Sequence, residues 1–393
     1  MKTHQSVLKF FDDKVLKIYN DDDKNRMSSV SNELYCINKF SGKKNPYYPI
    51  ILDNNKNSYS IKRYDFSLGN TKRLIDKNVR RLLFSCSLSE IFSQLKEIEN
   101  ILKIKNISHR DINPGNLLFS EVDLKLKLID FYWAKTDNIQ PNIPSGCNAI
   151  YGTIDSEAFS KIKNQLLKID KNVRKQVKNL KNSVIPLLGK KYYDGSSKHR
   201  SKTYHQIDIP YFRNVKFHRD NSNEFQDINK NMIKPIKNIT DVGCSSCYYL
   251  FNFMRMFRLE KVIGYEADPH MLKLLNSIKE IFCLDELIIK NKVELDTKFE
   301  KVDLLICMNV HMWLRKQFGL NADKLISNII ESSKEIFFQT AGNESSGMWV
   351  DKSLKSKEQI KKYLLKLGGR KVDFIRSTGR HGGLRHLFRI KNL

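Results

Sequence analysis

The pattern that most constrains this chain is a spaced set of two aspartates and an asparagine. Asp111 and Asn116 lie on His109-Arg110-Asp111-Ile112-Asn113-Pro114-Gly115-Asn116, and Asp130 heads Asp130-Phe131-Tyr132 after a short turn and an apolar run. Moving a phosphoryl group needs a carboxylate to orient and deprotonate the attacking hydroxyl, and oxygen ligands to hold magnesium against the ATP phosphates. On this reading Asp111 is the base, and Asn116 and Asp130 are the magnesium ligands. The segment from Leu124 to Ile129 alternates and then turns wholly apolar, as a strand delivering Asp130 to a buried edge would. A turn capped by Asp111 is the competing reading, but it accounts neither for the spacing nor for the second aspartate.

These residues resemble the catalytic loop (H-R-D-x-x-x-x-N) and the D-F-G metal motif of the protein kinases. The resemblance implies a reduced α+β protein-kinase-like domain that binds ATP and Mg2+. It also implies a lysine-glutamate ion pair, filled here by Lys17 on Val15-Leu16-Lys17-Ile18-Tyr19 and by Glu33 in the helical segment Ser31-Asn32-Glu33-Leu34-Tyr35-Cys36. Ser6 to Tyr19 reads as strand, Asp12-Asp13 turn and strand. Pro49-Ile50-Ile51-Leu52 and Tyr59 to Tyr64 read as further strands. From Arg80 to Ile104, apolar residues at Leu82, Leu83, Cys86, Ile91, Leu95, Ile98 and Leu102 have helical spacing and lead into the Asp111 loop. Three departures from the family stand out. No glycine precedes Lys17, no A-P-E sequence follows Asp130, and Asn113 replaces the lysine of Ser/Thr protein kinases. The last two favour a small-molecule or glycan hydroxyl over a protein substrate.

A chain of 393 residues exceeds what one hydrophobic core usually serves. The expected division is a kinase-like domain over 1–160, a basic helical connector over 161–200 and a second domain over 201–393. The connector reading rests on Ile162, Leu166, Ile169, Val173, Val177 and Leu180, with Lys161, Lys163, Lys168, Lys171, Arg174, Lys175, Lys178 and Lys181 on the other face. Such a helix closes a lobe with a solvated face, lies on an anionic membrane surface, or pairs as a coiled coil in a homo-oligomer. Pro186 and the polar run Asp194 to Lys198 mark its end. The net charge of +26 suits nucleotides, phosphorylated glycans, nucleic acid or anionic lipid, although abundant Lys, Asn and Ile also fit a compositional origin. Seven scattered cysteines read as reduced thiols, and Cys244 and Cys247 form a CxxC without a second pair at zinc spacing. Met1 to Gln5 shows no signal-peptide apolar region, and no apolar run approaches the roughly 18 residues of a spanning helix. A cytoplasmic location, peripheral to the inner face of the membrane if the basic helix binds lipid, is therefore expected.

In the second half, a strand at Ile236 to Val242 runs into Gly243-Cys244-Ser245-Ser246-Cys247 and then an apolar helix. Another strand, Lys261 to Tyr265, ends in Glu266, which is placed to bond ribose hydroxyls at the carboxyl edge of a parallel sheet. Val302 to Met308 reads as a central buried strand and Glu335 to Gln339 as another. Lys371 to Ile375 and Arg385 to Ile390 read as an antiparallel hairpin. This arrangement resembles the class I S-adenosylmethionine (SAM) dependent methyltransferases, with an α/β Rossmann-like domain. The resemblance implies that Asp241, Gly243 and Ser245 form the SAM loop, that Glu266 holds the ribose, and that Asn309 and His311 line the methyl-transfer site. The family's G-x-G-x-G becomes Gly243, Ser245 and Cys247. Upstream, Tyr204 to Pro210 and Phe217-His218-Arg219-Asp220 read as a substrate-side extension in which Arg219 either grips a phosphate or makes an ordinary ion pair.

The two halves together resemble the bifunctional kinase-methyltransferases that terminate bacterial O-antigen polysaccharides, with the domain order reversed. That resemblance implies phosphorylation and methylation of a glycan or lipid-linked saccharide. Two further readings stay open. One is a SAM enzyme acting on RNA or a small molecule, and the other is a regulatory protein whose kinase-like lobe is inactive.

Overall fold

Hydrophobic alternation at the start of the chain builds a hairpin. In the computed structural model, which describes residues 6–19, 24–41, 45–55, 58–141, 143, 150–188, 202–341, 354, 356–380 and 383–392, strands β1 (Ser6–Phe10) and β2 (Lys14–Tyr19) pair antiparallel. Helix α1 (Lys24–Phe40) follows, then β3 (Ile51–Asn55) and β4 (Ser58–Lys62), giving an antiparallel sheet in the order β1-β2-β4-β3. After β5 (Phe66–Ser67), the helical spacing read across 80–104 is carried by two helices, α2 (Asp76–Ser85) and α3 (Leu88–Ile104). Cys86 is extended, and Ser87 and Glu90 form a reciprocal capping box that restarts the helix. Leu88, Ile91, Leu95, Ile98 and Leu102 then make the buried stripe of α3. Strands β6 (Leu117–Ser120) and β7 (Lys125–Leu128) form the hairpin that delivers Asp130.

Helix α4 (Asp155–Val184) buries Phe159, Ile162, Leu166, Val173, Val177 and Leu180 and turns most of its lysines to solvent. The chain divides into two units at 176/177, inside this helix. The polar run 194–198 lies outside the described residues.

The second unit opens with β8 (Thr203–His205), β9 (Phe217–Arg219) and α5 (Ser222–Asn231). A seven-stranded sheet follows, built from β10 (Asn238–Val242), β11 (Lys261–Tyr265), β12 (Leu287–Lys290), β13 (Val302–Met308), β14 (Ser333–Ala341), β15 (Lys371–Arg380) and β16 (Gly383–Lys391). Its order is β12-β11-β10-β13-β14-β16-β15, parallel through the first five strands and closed by the antiparallel pair β16 and β15. This is the parallel sheet with a C-terminal hairpin that the sequence predicts. Helices α6 (Tyr248–Met256), α7 (Pro269–Phe282), α8 (His311–Phe318), α9 (Ala322–Glu331) and α10 (Lys357–Lys366) complete the unit. Leu305 and Cys307 of β13, Ile336 and Phe338 of β14, Ile326 and Ile329 of α9 and Phe388 of β16 share one apolar core. Strand order reverses beside β10, which pairs with β11 on one side and β13 on the other, so the carboxyl ends of these strands flank a crevice of the kind that binds ligands in α/β sheets. Among the described residues, no helix is long and apolar enough to cross a membrane.

Candidate functional site

In the first unit, three residues distant in sequence meet at one ammonium group. Lys17 Nζ donates to Glu33 Oε2 at 3.0 Å and to Asp130 Oδ1 at 2.7 Å. Antiparallel pairing sets Lys17 opposite Tyr59, α1 carries Glu33, and Asp130 follows β7 in a left-handed conformation with φ 63°. Glu33 is wholly buried and also accepts hydrogen bonds from the hydroxyls of Tyr19 and Tyr59. One cation cannot neutralise two carboxylates. Burial alone would raise Asp130, but Lys17 outweighs it and holds this carboxyl below its ordinary range. Glu33 is pushed up to about 7, first by burial, with Lys17 opposing and Asp130 reinforcing.

The loop bearing Asp111 is built by its own asparagines. Asn113 Oδ1 accepts from the backbone N–H groups of Gly115 and Asn116, while its Nδ2 donates to Asp111 Oδ1 at 3.0 Å. Asn116 Nδ2 donates to Asp111 Oδ2 at 3.0 Å, which leaves Asn116 Oδ1 as the atom of that amide suited to a cation. Burial raises the Asp111 carboxyl, the direction that suits a general base. His109 Nε2 lies 3.0 Å from the carbonyl of Ile129, and its ring packs edge-on against Phe131 at 4.6 Å, which ties the two motifs together. The sequence reading missed Asp155. Its carboxylate accepts from the backbone N–H groups of His109 at 2.7 Å and Arg110 at 2.8 Å, and so holds a loop in which Arg110 has φ 65°. An acidic residue in the first turn of a helix was the available signal. Among the described residues there is no cluster of three or more histidine, cysteine or acidic ligands. Asn116 Oδ1 and the Asp130 carboxylate are oxygen donors of the kind that would hold a magnesium ion.

In the second unit, Gly243 follows β10 with φ 76°, and a Cβ there would lie 2.4 Å from Val310 Cγ2. Ser245 and Cys247 both keep left-handed backbone, with φ 50° and 56°, a conformation that favours glycine. Glu266 fixes this loop: Oε2 accepts from Ser245 N at 2.7 Å, and Oε1 accepts from the amides of Ala267 and Asp268. Asp241 is buried, and its Oδ2 has no hydrogen-bond partner. Burial, and then Glu266, push its carboxyl well up. An unmet buried acceptor beside a glycine-bounded crevice fits a polar, partly cationic ligand such as SAM. Asn309 has φ 62°, donates through Nδ2 to Gln339 Oε1 at 2.6 Å, and leaves Oδ1 without a hydrogen-bond partner at the same sheet edge.

His311 follows Asn309 by two residues. It is fully buried at the start of α8, with Nδ1 3.0 Å from Thr340 Oγ1, Nε2 3.4 Å from Tyr363 OH, and its ring against Phe338 and Tyr363.

No family model matches the sequence. Ninety residues, 23% of the chain, are 33% identical to the serine/threonine-protein kinase par-4 of Caenorhabditis elegans, and 68 residues are 37% identical to par-4 of Caenorhabditis briggsae. These matches span 14% and 10% of those proteins. Among solved structures, the N-terminal domain of EvdMO1 with SAH bound covers 56% of this chain and 96% of its own, at 10% identity and a TM-score of 0.40. WbdD with a kinase inhibitor covers 49% of this chain and 45% of its own, at 13% identity and a TM-score of 0.38. These superpositions are too distant to assign chemistry, which stands on the residues above.

Two outcomes are expected. Because Glu33 holds its proton to about pH 7 in the fold but only to its ordinary value of 4.5 when unfolded, the native state binds the extra proton between these limits, and stability falls as pH rises through that window. The loss is roughly 3 kcal/mol. In denaturant titrations from pH 4.5 to 7.5 the loss in Glu33→Gln should be smaller than in the wild type by about this amount, because Asp241, whose carboxyl is also pushed up, contributes a loss to both. Gly243→Ala should cost roughly 2–5 kcal/mol, from left-handed strain plus the clash. Adding Val310→Ala should restore only the clash, with a coupling of roughly 1–3 kcal/mol in a double-mutant cycle.

Proposed function

We propose that this chain is a bifunctional transferase, with an ATP-dependent kinase centre in the first unit and a SAM-dependent methyltransferase centre in the second. The acceptor is a hydroxyl of a glycan or surface-polymer precursor, and methyl is transferred to the same or a related molecule. The observation that carries the reading is the convergence of Lys17, Glu33 and Asp130 from positions far apart in the sequence, together with the Asp111 loop. That arrangement is far more specific than either motif alone.

In the first unit, Lys17 neutralises phosphate charge, and Glu33 holds Lys17 in place. Asn116 Oδ1 and Asp130 hold magnesium, which supplies charge neutralisation on the nucleotide when bound. Asp111 is aimed by the two asparagines so that a carboxylate oxygen can accept the proton of the attacking hydroxyl. In the second unit, the loop from Gly243 to Cys247 and the Glu266 carboxylate bind the nucleoside, and SAM supplies an electrophilic methyl group. Asn309 offers an acceptor oxygen at that edge. The exposed lysines of α4 suit an anionic membrane surface, which agrees with a lipid-linked saccharide and a cytoplasmic site of action.

The second reading is an RNA or small-molecule methyltransferase whose kinase-like lobe is regulatory. It is favoured by the engagement of Lys17 with both carboxylates, which a nucleotide must displace. The two are separated by assays with phosphate-labelled ATP and methyl-labelled SAM on saccharide-containing extracts. Asp111→Asn should lower phosphate incorporation by about 10²–10⁴-fold while leaving SAM binding intact. Methyl incorporation into RNA, with no phosphate label on any saccharide, would overturn the first reading.

A further inference from the structure

The extension ahead of the large sheet holds a buried cation that the mechanism above does not use. Arg219 ends β9 with its side chain only 6% exposed. Burying a guanidinium is costly unless its donors are met. Nη1 donates to Tyr204 OH at 3.2 Å, whereas Nη2 lies 3.9 Å from Glu224 Oε1, and neither Nε nor Nη2 has a hydrogen-bond partner. Arg385, on β16 opposite Ala341, brings a second guanidinium to the Tyr204 hydroxyl. Tyr204 and Arg385 are partly exposed and form the solvent side of this cluster. Burial would raise the Tyr204 hydroxyl, but Arg219 and Arg385 outweigh it and lower its pKa.

The cluster borders the cofactor loop. Ser246 Oγ donates to the carbonyl of His205 at 2.8 Å, which bonds the strand next to Tyr204 to the turn after Gly243. Tyr249 of α6 feels Glu224 and Arg219 as well as Asp241. Ala341 lies at the carboxyl end of β14, the edge that also presents Asn309.

We propose that Arg219, Arg385 and Tyr204 form an anion-binding subsite beside the methyl-transfer edge, taking a carboxylate or phosphate of a ligand held by the second unit. This rests on the reading of that unit as SAM-binding. Two sources supply such an anion: the carboxylate of the cofactor's amino-acid end, or an anionic group on the acceptor. Glu224 acts as a resident counter-charge that moderates the pull on either.

The test is calorimetric titration of the full chain with SAH, with methylthioadenosine, which lacks the carboxylate, and with inorganic phosphate in the presence of SAH. If the subsite takes the cofactor carboxylate, Arg219→Gln weakens SAH by about tenfold or more and leaves methylthioadenosine unchanged. If it takes the acceptor anion, both nucleosides bind as before and phosphate binding is lost. Glu224→Gln should strengthen the same anion, a gain that a folding defect does not produce. The proposal is overturned if Arg219→Gln and Glu224→Gln alter none of the three affinities by more than about twofold. If the wild type binds neither nucleoside, it is the SAM reading that fails, and phosphate titration of the bare chain then decides the subsite.

Discussion

A single ammonium group shared between two carboxylates organises the first unit. Lys17 must sit opposite Tyr59 in the sheet, Glu33 must be presented by α1, and Asp130 must leave β7 in a left-handed turn for the three to meet. Asp130 is left ionised and wholly buried Glu33 protonated up to about pH 7, so the charge state of the centre follows from burial and from the count of charges. The tyrosines around Glu33 are part of the same economy, because their hydroxyls solvate a group that has no access to water.

The second unit depends on backbone conformation more than on charge. Left-handed residues at Ser245 and Cys247 cost about 1–2 kcal/mol each relative to ordinary backbone. They persist because Glu266 takes the Ser245 amide, Ser246 bonds the extension at His205, and the Cys247 amide donates to the carbonyl of Cys244. The loop keeps the path of a glycine-rich turn with Gly243 as its single glycine. Strain held this way beside a crevice is a common mark of a ligand site.

Much of this was legible in the sequence, for identifiable reasons. The hairpin, the Lys17 and Glu33 spacing and the central strands were readable because alternation and apolar runs are local signals. The break between α2 and α3 was also written locally, in Ser87 and Glu90, but apolar spacing continues across Cys86 and hid it. Strand β12 is only four residues long, too short for periodicity to declare. The burial of His311 depends on Thr340 and Tyr363, which come far later in the chain, so local pattern leaves a packed position and a site position equally open. Asp155 acts through backbone amides of a distant loop, a contact that only tertiary structure supplies.

The central claim is that one chain carries two nucleotide sites of different chemistry. Equilibrium titration of the purified chain with SAH and with the magnesium complex of a non-hydrolysable ATP analogue tests it most directly. The account predicts that each saturates at one per chain and that saturation with one leaves a site for the other. A well-folded chain that binds no ATP analogue, or in which the two ligands compete for a single site, would contradict it.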